Sequence, residues 1–299
     1  MIRTAVIGLD TSHATEFPKF IQDSAIEPEH RVTGMTVTRA LRFDTPFQKK
    51  EGLDKRQAYL ESIGVKVTED FEEAVSDCDA IFMEINDPSL HLEYFRKCAE
   101  LGKPVFLDKP FADTLDNAVE ILKIAKEHNI RFFTASSLRF ESNIVQVHEE
   151  MPEVDMAETW GPLGHARKGS SIVWYGVHAF EMLEKIMGPG AVAVTTVPDH
   201  NGAVCVVAYE DGRRGIVTLT KGNYAYGGLL RKEKECKMFQ SGGGGYLYHN
   251  LISDIGRFFR GEYAGVPLAE SFEIMAMLEA AELSLQTSRT MPVYRMPVI

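Results

Sequence analysis

Over roughly the first 135 residues, short apolar runs alternate with amphipathic segments. This alternation confines the N-terminal half to a parallel sheet covered by helices on both faces. The predicted strands are residues 4–7, 32–38, 65–67, 80–84, 105–107 and 131–134. Between them, "NDPSLHLEYFRKCAELGKP" offers Asp87 as an N-cap, Pro88 at the first helical position, a stripe of Leu92, Phe95 and Ala99, and Gly102 to close. "DTLDNAVEILKIAKEHNI" repeats the design with Leu115, Val119, Leu122 and Ala125.

Beyond Arg139 the pattern changes. A helix runs to about Met151, then strand-like runs fall at 192–197, 204–209, 215–219 and 236–239. Asp211-Gly212 joins two of them as a tight hairpin, which points to an antiparallel sheet. Helices flank it in "YGVHAFEMLEKIMG", "YLYHNLISDIGRFFRG" and "SFEIMAMLEAAELSLQTS". The fold class expected is α/β: a Rossmann-like, doubly wound parallel sheet over residues 1–137, and an α+β domain over 138–299 built on an antiparallel sheet. A chain of 299 residues accommodates both. The "SGGGG" run at 241–245 precedes a helix, where bare amides could receive an anion, but it reads better as a flexible hinge.

Composition narrows the partners. A net charge of −11 without a Lys/Arg-rich run disfavours nucleic acid. With 44% hydrophobic and 25% charged residues the chain reads as globular, and no apolar run approaches a membrane span. The opening "MIRTAVIG" enters a strand directly, so a cytoplasmic protein is expected. Cys78, Cys98, Cys205 and Cys236 form no C-x-x-C pair, so no zinc site or disulfide framework is signalled.

The stretch "AVIGLDTSHATEFPKF" departs from the usual nucleotide-binding turn. Gly8 turns the chain, but Asp10 and His13 stand where a dinucleotide fold places its second and third glycines. An uncompensated carboxylate about 4 Å from a phosphate costs on the order of 4 kcal/mol at an effective dielectric near 20, while a helix terminus returns about 0.3 to 2. The ordinary grip is therefore disfavoured. Pro18 predicts a helix starting near Thr15, leaving a long loop over residues 8–14. That loop either lifts Asp10 clear of a phosphate or brings Asp10, Ser12 and His13 into the crevice; equally, Asp10, Thr11 and Ser12 only satisfy loop amides. The second strand, "GMTVTRALR", ends without an acidic residue, so Arg39 or Arg42 would meet a 2′-phosphate and NADP is favoured over NAD.

From Asp79 to Phe140 the chain resembles the glucose-fructose oxidoreductase and inositol dehydrogenase family, through Pro88 with His91, Gly102-Lys103, Asp108-Lys109-Pro110 and Arg139-Phe140. "GVHAFEML" is similar to the family's second-domain helix, and "GVPLAESFEIMAMLEAAELSLQTSRTMPV" to its last long helix. The resemblance implies an NAD(P)-dependent oxidoreductase acting on a sugar-like or cyclic alcohol, assembled as a homodimer or homotetramer. It places Lys109 beside the nicotinamide and the reacting hydroxyl. Cofactor contacts fall to Gly8, Asp10, Ser12, His13 and Arg39, and to Asn86, Pro88, His91, Asp108 and Lys109. His178 is the expected general base, with Glu181 three residues on to orient its ring. The family's first carboxylate of that motif is Trp174 here, which suggests a flatter or stacked substrate. A competing reading has the dinucleotide lost and Asp10, His13, His178 and Glu181 serving as metal ligands or acid/base groups for elimination, hydration or isomerisation. A third is a non-catalytic sensor or assembly partner.

Overall fold

The computed structural model describes residues 1–242 and 246–298; three glycines of the 241–245 run, and the hinge reading with them, lie outside the described residues. Strands β1 (Ile2–Ile7), β2 (Met35–Leu41), β3 (Lys66–Thr68), β4 (Ala80–Met83), β5 (Val105–Leu107) and β6 (Phe132–Thr134) form one sheet in the order β3-β2-β1-β4-β5-β6. All its pairings are parallel. The order reverses between β1 and β4, and that switch point opens a crevice beyond the strand ends.

Helices α1 (His13–Gln22), α2 (Lys50–Ser62), α3 (Phe71–Val75), α4 (His91–Ala99) and α5 (Leu115–Glu127) connect the strands. Asp87 caps as expected, accepting from the Ser89 amide, and Thr114 accepts from the Asn117 amide. The start of α1 is a correction: the helix begins at His13, and Pro18 lies inside it. Proline there removes one hydrogen bond to the preceding turn. Phe17, Pro18, Phe20 and Ile21 are all buried, and that packing holds the helix together. The loop before it is correspondingly short.

The second sheet follows α6 (Ser142–Glu150). It contains β7 (Met156–Pro162), β8 (Ala191–Pro198), β9 (Gly202–Tyr209), β10 (Arg214–Thr220), β11 (Gly227–Lys232), β12 (Glu235–Gln240) and β13 (Met291–Pro292), ordered β12-β11-β7-β10-β9-β8-β13. The Asp211-Gly212 hairpin joins β9 to β10 antiparallel. The sheet is mixed, however, because β7 and β10 run parallel. Strand β11 escaped the sequence pattern because it opens on two glycines; a Cβ on Gly227 would sit 2.5 Å from the Trp160 ring.

Helices α7 (Val177–Met187) and α9 (Leu268–Thr287) pack between the sheets, and α7 is buried on nearly every side. Helix α8 (Tyr246–Phe259) returns to the first sheet: Leu251, Ile255 and Phe258 share a core with Phe17, Phe82, Phe106 and Phe133. Among the described residues no helix is long and apolar enough to cross a membrane.

Candidate active site

The crevice has a volume of about 890 Å³ and is walled by the β1–α1 loop, the ends of β4 and β5, and the turn leading into α7. Gly8 makes its floor possible. With φ +98° it turns the chain so closely that a Cβ would lie 2.5 Å from the Glu84 carbonyl oxygen. The first fingerprint glycine therefore keeps its steric task.

Asp10 does not stand free. One carboxylate oxygen accepts from the Asn86 amide at 2.8 Å and the other from the Thr45 hydroxyl at 2.7 Å. Burial raises its pKa despite these bonds. Both oxygens are thus engaged by the loops after β4 and β2, and the positive charge of Arg56 acts on the same carboxylate. Arg56, absent from the sequence-based candidates, lines the same wall and donates to the Leu9 carbonyl at 2.6 Å.

His13 leaves the first turn of α1 and enters a buried cluster. Its Nδ1 lies 3.0 Å from Asp108 Oδ1 and 3.6 Å from Glu84 Oε2, with the ring stacked on Phe17. Burial opposes the imidazolium, but the charge of Asp108, the hydrogen bond to it and the nearby Glu84 carboxyl outweigh it and raise His13 to about 9. Burial likewise opposes the Asp108 carboxylate, yet His13 and Lys109 hold it well below the usual range. Glu84, with burial and the Asp108 charge both against ionisation, is pushed up to about 7. Sequence reasoning took Glu84 for the last strand residue. An acid closing an otherwise apolar parallel strand was the available signal.

Lys109 follows β5 and precedes a cis Pro110. Its amide donates to Asp108 Oδ1 at 2.8 Å, and its Nζ lies 3.8 Å from Asp108 Oδ2. His178 comes from α7 and lines the same crevice. Its Nδ1 sits 2.7 Å from the Ser136 hydroxyl, which leaves Nε2 as the other ring nitrogen. Burial first, then the positive charges of Lys109 and His13, drive His178 well below the usual imidazole value. The crevice thus holds one cationic and one neutral imidazole.

Four expectations are corrected here. Glu181 does not orient His178: it pairs with Arg139 at 3.3 Å, and Arg139 also pairs with Glu270. Burial nonetheless raises Glu181 to about 7 against the pull of Arg139. Arg39 lies away from the crevice with Asp77 at 3.1 Å, and Arg42 is bound to Asp54 and Gln57. His91 is fully buried between the carbonyls of Ile85 and Phe111, where it ties two loops together, and Pro88 is buried at the head of the same turn. Finally, Asp10, His13, His178 and Glu181 do not form one ligand cluster among the described residues.

The far wall is aromatic. Trp174 sits in a π-helical turn, Ile172–Gly176, its ring tilted against those of Phe47 and Tyr175, and its Nε1 donates to Asn86 Oδ1 at 2.9 Å. Tyr175 and Tyr226 meet His178 edge-on at 5.2 and 5.7 Å between ring centroids. These rings carry no periodic signal of their own.

Residues 2–136 match the family model described as "Oxidoreductase family, NAD-binding Rossmann fold". This agrees with the resemblance carried by the motifs up to residue 136. A relative in Streptococcus pneumoniae, an "Uncharacterized oxidoreductase", is 30% identical over 97 residues, which span 32% of this chain and 26% of that protein. Over 98% of this chain, the fold superposes on a putative myo-inositol dehydrogenase from Sinorhizobium meliloti, covering 100% of it with a TM-score of 0.80 at 14% identity. It also superposes on a Lactobacillus casei myo-inositol dehydrogenase crystallised with NAD(H) and myo-inositol, with a TM-score of 0.80 at 12% identity, covering 100% of this chain and 98% of that one.

Proposed function

We propose, for a chain whose residues 2–136 match the family model of oxidoreductases with an NAD-binding Rossmann fold, that the crevice exchanges hydride between a nicotinamide dinucleotide and a hydroxyl of a sugar-like or cyclic alcohol. The observation that carries this reading is that Lys109, from the end of β5, and His178, from α7, line one crevice together with the first turn of α1. The donor set suits an anionic cofactor. Gly8 keeps its close approach, Arg56, Lys109 and Arg167 line the walls, and Asp10 is satisfied on both oxygens. Ser12 and Arg56 would hold the phosphates, and Asn86 and Lys109 the nicotinamide end. When bound, the dinucleotide supplies the hydride acceptor or donor.

The chain's own part is proton handling and orientation. Burial and nearby positive charge favour a neutral His178, and in the tautomer that donates Nδ1–H to Ser136 its Nε2 lone pair takes the hydroxyl proton. Lys109, fixed by Asp108, orients the same oxygen and stabilises the charge that develops on it. Trp174, Tyr175 and Tyr226 line the crevice and offer aromatic surface to a ring. We further propose a division near 137/138 into cofactor and substrate domains. The face of the second sheet carrying exposed Val197 and Met238 would pair copies as a homodimer or homotetramer.

Mixing the purified protein with NADH and with NADPH tests the reading. A saturable change in nicotinamide fluorescence with one of them is expected, and no change with either would end it.

A further inference from the structure

His13, Glu84 and Asp108 form a buried centre of which hydride transfer uses Asp108 alone, to fix Lys109. One donor atom from each lies within 4.8 Å of the others, and all three residues are buried. Glu84 is the least satisfied member: it is 0% exposed, neither of its oxygens has a partner at hydrogen-bond distance, and its contact with the His13 ring nitrogen is a long 3.6 Å. Buried carboxylates are ordinarily matched, and one that faces an imidazole nitrogen and a second carboxylate points to a missing cation. The spacing agrees. Bonds of about 2.0 to 2.2 Å in a tetrahedral site put neighbouring donors about 3.4 Å apart. Here the His13 nitrogen lies 3.0 Å from Asp108 and 3.6 Å from Glu84.

We propose that His13 Nδ1, Glu84 and Asp108 bind one divalent ion of the zinc class, with its remaining position open to the crevice. One imidazole and two carboxylates are a ligand set for such an ion. Of the three residues His13 alone lines the crevice, and the fourth position is assigned to that side. Asp108 is already oriented for the task, since its Oδ1 accepts the Lys109 amide. Binding displaces the His13 proton. Two carboxylates, a dication and the Lys109 ammonium then leave one net positive charge at the crevice floor, suited to polarise a substrate oxygen. The residue that replaces the third fingerprint glycine thereby supplies a ligand. The site stands on these three side chains and holds whether or not a dinucleotide binds.

The test uses the whole protein, stripped with EDTA and titrated without nucleotide, with Zn²⁺ by calorimetry and Co²⁺ by visible absorption. One ion per chain is expected, with Co²⁺ bands that Zn²⁺ displaces and affinity lowered about 100-fold or more in both His13→Gln and Glu84→Gln. Should a variant fail to fold, anomalous scattering from a Zn²⁺-soaked wild-type crystal decides, with a peak expected between His13, Glu84 and Asp108. No stoichiometric ion, an ion retained undiminished in both variants, or a peak elsewhere overturns the proposal. Loss of NADH binding with metal binding intact would instead sink the oxidoreductase reading alone.

Discussion

Trp174 Nε1 donates to Asn86 Oδ1 at 2.9 Å across the crevice, tying the turn before α7 to the loop after β4. Asn86 in turn donates its amide to Asp10, so one chain of hydrogen bonds links both walls to the rebuilt β1–α1 loop. Trp174→Phe keeps the ring and removes the link. A stability loss of about 0.5 to 1.5 kcal/mol is expected, with KM rising more than kcat falls. Urea unfolding and steady-state kinetics check this; unchanged values on both would show that the link is idle.

Gly8→Ala should be severe. The new Cβ meets the Glu84 carbonyl at 2.5 Å, a backbone atom that cannot swing aside, and φ is +98°. A loss of about 2 to 4 kcal/mol is expected by thermal or denaturant unfolding. Wild-type stability in this variant would mean the loop does not pack against β4 as described.

Lys109 and His178 were legible through the motifs that carry the family resemblance, and for Lys109 its place just past a buried parallel strand, where such a fold opens its ligand crevice, agrees. Partners were harder to read. Glu181 shares a helix face with His178 by spacing alone, but Ser136, 42 residues away, is the neighbour that takes the ring nitrogen. Arg39 was assigned to a phosphate because it lies near the end of β2; Asp77, brought close by the fold, takes it instead. Pro18 misplaced the start of α1 because burial of a whole helix face outweighs one lost hydrogen bond. The Glu84 cluster required three chain segments to meet, and no local period encodes that.

Glu181 gives a pH signature. Its native value of about 7 lies above the ordinary 4.5, so the folded state holds the proton more tightly than the unfolded chain. The contribution of Glu181 to stability is therefore full below about 4.5, falls as pH rises toward 7, and does not recover above it. The full interval amounts to about 3 kcal/mol. Glu181→Gln should flatten this slope in urea unfolding run across that range. Glu84, also raised to about 7, leaves a residual slope. An identical slope in the variant would place Glu181 in solvent contact.

His178 should set no acid limb near neutrality. Its ring stays uncharged well below the usual 6.5, so alcohol oxidation should hold its rate as pH falls through that value. His178→Asn should lower kcat by about 10² to 10⁴. A wild-type limb near 6.5 that disappears in His178→Asn would contradict the neutral-base assignment.

The most direct measurement is a crystal structure of the protein with NADH and a cyclic polyol. Lys109 Nζ and His178 Nε2 are expected within hydrogen-bonding reach of the same substrate oxygen, with the nicotinamide ring stacked beside it in the crevice. A nicotinamide seated outside the crevice, or a polyol that touches one of the two side chains and not the other, would contradict the proposed active centre.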